Sequence, residues 1–512
     1  MNTHRRKSLP LRARTLAAVF AMTLALGASD GRAQGDIISN AGIFIEPVST
    51  ASVRQPQRRA TRQSAPRRFT PRRARTASGQ QSGQQSSQRP SGGAPTSPSP
   101  NTGRERAETP KRPASSPSAT AESLNARGLS ASNAGRHADA LASFRQAVAA
   151  RPDYAEAHYN AGLALYELNR FSEAADSFKR ASELEREDAD ALKYLGASYA
   201  RLGRHADAAS AYEQASRLDA GDAEIFYALG DAYAEAGQTE RAATSYAQAV
   251  KLKPDYAEAY ADLGDAYAKL GRTNEAAEAF RQASRLNPRD ADSFTALGDL
   301  FRAQGKYEEA IEPYRQATLL RPADAELRHA LGHALGRVGR FIQAEVALRE
   351  AIRLKPDYAE AQVNLGWVYT SLNRFSEAVD TLRKAVATDP SNARAHFNLG
   401  FALSRWVGAR PQEGQKLFTE ARAEFAEAVR LKPDWPEAHN NLGIAIGNLG
   451  DYKGAVVEHE TALRLKPDYA GALFNLAIAH RRGGDKKRAQ EVQKRLQKLN
   501  PTMAEQLKAY IK

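Results

Sequence analysis

The sequence contains no cysteine and only three Met and three Trp. The missing thiols exclude a disulfide framework, a thiol nucleophile, an iron–sulfur cluster and a thiolate zinc site. They also exclude a bacterial lipoprotein anchor, which is attached through cysteine. The apolar run Leu16 to Leu26 has eleven residues, too few to span a bilayer, which takes about 20. Acid is scarce near the N-terminus: residues 1–33 hold six basic residues and one acid, and residues 34–120 hold fourteen basic and four acidic residues. These two segments account for the whole net charge of +14, and the rest of the chain carries one negative charge. The high isoelectric point of about 9.7 therefore does not describe the main body, and nucleic acid is not an expected partner.

The start has the form of a secretory signal. Arg5, Arg6, Lys7, Arg12 and Arg14 precede the apolar run, and Gly31, Arg32 and Ala33 put small residues around a cleavage point after Ala33. An export signal is expected over 1–33, which places the mature chain in the periplasm, cell envelope or medium with no transmembrane segment. Residues 34–120 hold eleven of the 24 prolines and are rich in Ser and Gln. That composition predicts disorder, because too little apolar area is available to offset chain entropy. Nine Arg lie between Arg54 and Arg75 without an acid, with Pro56, Pro66 and Pro71 among them. This strip reads as an extended segment able to adhere to an anionic surface, or as a solubilising spacer.

From residue 121 a 34-residue period takes over. A Leu-Gly pair recurs at 195–196, 229–230, 263–264, 297–298, 331–332 and 365–366, and continues at 399–400 and 442–443. Twelve residues after Gly196, Gly230, Gly298 and Gly366 stands a small residue, Ala208, Ala242, Ala310 and Ala378. Four further on is a bulky one, as at Tyr212, Tyr246, Tyr314 and Leu382, and three beyond that another Ala. A proline such as Pro254, Pro288, Pro322, Pro356 or Pro390 then ends the segment.

This pattern resembles the tetratricopeptide repeat family across residues 121–503. The resemblance implies an all-α right-handed superhelical solenoid of eleven helix-turn-helix repeats, in which neighbours cover each other's apolar faces. Repeat nine, residues 393–435, is 43 residues long and so carries a nine-residue insertion. Pro411 is expected to open a lengthened second helix bearing Leu417 and Phe418, which reads as a docking protrusion or a tolerated surface insertion. Residues 504–512 are expected to form a capping helix with Leu507 and Ile511 inward.

The repeats leave no room for a catalytic domain, so the chain is not expected to be an enzyme and no cofactor is implied. His329 and His333 share one helix face, but a third metal ligand and an HExxH motif are absent; no metal site is assigned. In the family, first helices line an inner groove that binds peptides or helices. On that basis Asn364, Asn398, Asn441 and Asn475, each at the sixth repeat position, resemble the asparagine ladder of protein-binding members. Arg394, Trp367, Phe397, Phe401 and Phe474 stand beside them. Arg394, Asn398 and Asn441 also match three positions of the carboxylate clamp of chaperone-binding members, with Gly471 and Asn475 in place of its last two cations. A second expected site is an open acidic patch of Asp231, Asp262, Asp265 and Asp299, suited to a basic ligand. The function expected is a protein-interaction scaffold of the cell envelope. The alternative is an envelope tether in which the Arg-rich strip holds an anionic surface and the repeats are a spacer.

Overall fold

The structure, a computed structural model, describes residues 117–511; the segment expected to be an export signal, the Arg-rich strip and most of the Pro-rich segment lie outside the described residues. Among the described residues there are 23 α-helices, one short 3-10 turn and no strand. They divide into two compact units, residues 117–270 and 271–511. Within each unit, helices follow one another as antiparallel pairs, for example Ala155–Glu167 with Phe171–Leu184 and Ala359–Ser371 with Phe375–Thr388.

Two local devices start the first helices. Where the preceding turn ends in Asp or Asn, that side chain caps the helix: Asp188, Asp222, Asp290, Asp324 and Asn392 each accept a backbone N–H of the first turn. Where the sequence reads Lys-Pro-Asp-Tyr or Lys-Pro-Asp-Trp, no side-chain cap forms. Instead the Lys ammonium sits over the aromatic ring three residues on, at 4.7 Å for Lys253 and Tyr256 and 4.9 Å for Lys355 and Tyr358. Between the helices of a pair the chain turns through a left-handed residue, Gly237 at φ 75° for instance, with Asn169 and Asn373 at φ 58° filling that role in two repeats.

The helices of a pair close on the glycine of the Leu-Gly dipeptide. A Cβ added at Gly298 would lie 2.7 Å from Cε1 of Tyr314, so only glycine admits the ring. The small positions are fully enclosed: Ala208, Ala242, Ala310 and Ala378 are all 0% exposed. Leu348 and Leu382 fill the slots under Gly332 and Gly366, and in repeat ten His459 fills the one under Gly443.

The insertion in repeat nine forms no protrusion. Pro411–Glu413 is a 3-10 turn, and the helix Gly414–Leu431 has 18 residues against 14 in the usual second helix. Leu417 and Phe418 are buried, each 4% exposed. About one extra helical turn suffices to carry them back onto the pair, where their apolar area is removed from water. The first helix begins at Pro117, four residues before the repeat boundary read from the sequence, and the last runs Pro501–Ile511 with Leu507 and Ala504 buried.

Candidate functional site

In residues 271–511 neighbouring first helices touch directly, as Ala359–Ser371 does Ala393–Trp406. Their shared face carries a line of polar and aromatic side chains. Arg337 on helix Ala325–Arg337 donates to the Tyr307 hydroxyl at 2.9 Å and lies over that ring. The Tyr307 ring meets His333 edge-on at 5.6 Å. His329, one turn before His333, contacts the Tyr358 hydroxyl through Nδ1 at 3.1 Å and the Asn364 amide nitrogen through Nε2 at 2.7 Å. Asn364 in turn accepts from Arg394 Nη2 at 3.3 Å.

Positive charge is crowded here. Arg394 is an exposed residue, yet protein surrounds its guanidinium closely enough for burial to act on it. Burial lowers its pKa, and among the described residues it makes no ion pair. Burial likewise lowers Arg337. Burial, then Arg394 and Arg302, push His329 down to about 4, and His333 is also held well below its ordinary value. Arg302 differs, being paired with Asp299 at 3.2 Å and hydrogen-bonded to Tyr314.

The four ladder amides have four different fates. Asn364 is wired between His329 and Arg394. Asn441 donates to Glu437 O of its own helix, and Asn475 donates to Asn440 Oδ1. Asn398 makes no hydrogen bond among the described residues, and it lies one helical turn from Arg394.

The flanking rings are mostly core rather than groove surface. Trp367 is 7% exposed because its ring fills the gap left by Gly336 and packs edge-on to Phe341. Phe397 is 1% exposed between Trp435 and Phe425, and Phe474 is buried against Tyr510. Phe401 alone of these four keeps part of its surface, stacked parallel to Phe397 at 6.5 Å.

The four acidic residues are all partly buried. In residues 117–270 Asp231 accepts from the Tyr246 hydroxyl at 2.8 Å and Asp262 from Tyr227 at 2.7 Å. Burial and the nearby Asp262 carboxylate hold Asp231 well above the usual carboxylate range. Asp265 is half-buried on the same helix as Asp262. Asp299 belongs to the other unit, where Arg302 neutralises it. The histidines and tyrosines that bind these groups were legible only as a shared face and as repeat spacers.

A family model described as tetratricopeptide repeat matches residues 125–184, 162–223 and 448–504. A second, described as the C-terminal domain of cilia and flagella-associated protein 70, matches residues 222–398. Among solved structures, YrrB, described as a tetratricopeptide protein with an unusual peptide-binding site, is 25% identical, with 36% of this chain and 96% of that chain covered and a TM-score of 0.35. Yeast Tom70 is 15% identical over 76% of this chain and 94% of its own, with a TM-score of 0.34. The C-terminal part of a repeat protein from Cytophaga hutchinsonii is 18% identical over 47% and 99%, with a TM-score of 0.40. No curated protein matches the chain.

Proposed function

Given that the chain belongs to the tetratricopeptide repeat family, whose members generally serve as protein-interaction scaffolds, we propose that it is a non-enzymatic scaffold whose first-helix face in repeats six to nine holds a segment of a protein partner. The observation that carries this reading is the state of Arg394 and Asn398. One is a guanidinium without an ion pair, the other an amide without a hydrogen bond among the described residues. Arg394 is exposed and Asn398 is not among the fully buried unpartnered groups, so water serves both until a ligand replaces it with direct hydrogen bonds. An extended segment with an acidic side chain satisfies both, the carboxylate taking the guanidinium and the backbone taking the amide. Phe401 adds an apolar contact.

The test is capture of envelope proteins by the full-length chain against an Arg394→Gln, Asn398→Ala double variant. Partners held by the parent chain and lost from a normally folded double variant support the reading; equal capture sinks it. The cell-envelope setting rests on the basic and apolar pattern of residues 1–33. Deleting them is expected to leave the protein in the cytoplasm, and envelope recovery of the shortened chain would remove that setting.

A further inference from the structure

The wiring of His329 fixes its protonation. A guanidinium donates and never accepts. Asn364 must therefore turn its oxygen to Arg394, which leaves its NH2 facing His329 Nε2 at 2.7 Å. That NH2 donates, so Nε2 carries a lone pair and the ring is neutral. Its hydrogen is on Nδ1, directed at the Tyr358 oxygen 3.1 Å away. In this arrangement a second proton has no place, because it would meet the Asn364 NH2 head-on.

The groups around the ring reinforce the neutral state. His333 lies on the same helix, with Arg337 and Tyr307 behind it. Arg302 approaches from helix Ala291–Ala303, already paired with Asp299. Tyr358 and Asn364 come from the next repeat, and Arg394, with Glu360 near it, from the one after. The facing charges that act on the ring are Arg394 and Arg302, both cationic.

We propose that this site takes up one proton together with a carboxylate ligand, His329 being the group protonated. This rests on the binding face proposed above. A carboxylate arriving at Arg394 takes over its hydrogen bonds and cancels its charge. Asn364 Oδ1 is then released, and the amide turns to offer that oxygen to His329. Nε2 takes a proton from solvent and donates it to Oδ1; no other bond forms or breaks. Since the bound state holds one proton more than the free state, affinity rises as pH falls, by about tenfold per pH unit at most.

The experiment uses the full-length chain with fluorescein-labelled hexaglutamate, and hexaglutamine as the neutral counterpart, in anisotropy titrations from about pH 7 to about pH 5.5, a window where glutamate stays ionised. Hexaglutamate is expected to bind several-fold more tightly at the lower pH, and hexaglutamine not to bind. His329→Gln is expected to abolish the pH slope and His333→Gln to keep it. A slope that survives His329→Gln, or hexaglutamate binding unchanged in Arg394→Gln and so belonging to other basic segments, overturns the proposal. Nitrogen NMR of the His329 ring in the unligated parent chain gives a readout that needs no variant: the Nδ1–H tautomer is expected at neutral pH, and the Nε2–H tautomer overturns the wiring. Partner capture that still depends on Arg394 and Asn398 while hexaglutamate fails would remove the proton linkage alone.

Discussion

In residues 117–270 the buried ammonium of Lys193 reaches across to the next repeat and finds two carboxylates, Asp222 at 2.8 Å and Glu224 at 3.3 Å. In residues 271–511 the Arg394 guanidinium reaches back to the preceding repeat and finds an amide, Asn364. The first cation is neutralised within the fold, and the second makes no ion pair among the described residues. The anions show the reverse contrast. Asp299 is paired with Arg302, whereas Asp231 and Asp262 sit near each other and accept hydrogen bonds from tyrosine hydroxyls. One helix-pair scaffold thus presents internally paired charge at some repeats and crowded like charge at others, and the choice is made by single residues at a few first-helix positions. Crowded like charge works against stability and favours an oppositely charged ligand.

Removing a ring that both packs a pair and holds a crowded carboxylate gives the largest expected effect. Tyr246→Ala vacates the slot against Gly230 and strands Asp231. It is expected to cost about 3–5 kcal/mol, read as an early melting phase that leaves the remainder of the chain folded. A single unshifted melt would contradict the packing described for that repeat.

The next effect is pH-dependent. Burial holds His459 neutral down to about pH 3 in the folded protein, while the unfolded chain protonates near its ordinary value of about 6.5. The unfolded state therefore binds more protons between these limits, so stability falls as pH drops through that window. The expected loss is about 2 kcal/mol between pH 6.5 and pH 5. His439 works oppositely: its Nδ1 lies 2.7 Å from Glu458, and that hydrogen bond raises its pKa. Its contribution is present at low pH and lost as pH rises through the raised value. Denaturant melts of His459→Phe, which restores an aromatic to the slot, should show a flatter acid limb than the parent chain; an unchanged limb would place the acid sensitivity elsewhere.

Relieving the crowded anions gives a smaller gain. The Asp231 carboxyl is raised, so its ionisation disfavours the folded state above its ordinary pKa of about 4. Asp231→Asn keeps the oxygen that accepts from Tyr246 and removes the charge. It should raise the melting temperature at neutral pH, with the advantage shrinking toward pH 4. A destabilised variant at neutral pH would show that Asp231 is neutralised by a cation.

The repeat architecture was legible because each register position answers to one contact. Glycine admits a ring, the alanines are sealed between helices, and proline stops the second helix. Site residues obeyed no such rule. Trp367 stands at an inward position of its repeat, yet Gly336 in the preceding repeat opens a hole that the indole fills. Phe397 is drawn under Trp435, at 4.4 Å between ring centres. The asparagine spacing identified where Asn364 and Asn398 stand, but not that a histidine and an arginine from the flanking repeats would occupy one and leave the other open. Those outcomes depend on side chains 30 to 35 residues apart in sequence, beyond what a pattern within one repeat contains.

A protein partner held on the first-helix face would lie beside Arg394 and Asn398. A photoreactive phenylalanine analogue placed at Phe401, on that face, and at Val346, an exposed position on a second helix, tests it most directly. Crosslinking of a partner is expected from position 401 and not from 346, and to disappear from 401 when Arg394→Gln and Asn398→Ala are added. Crosslinking from 346 alone, or from 401 regardless of those two substitutions, would contradict it.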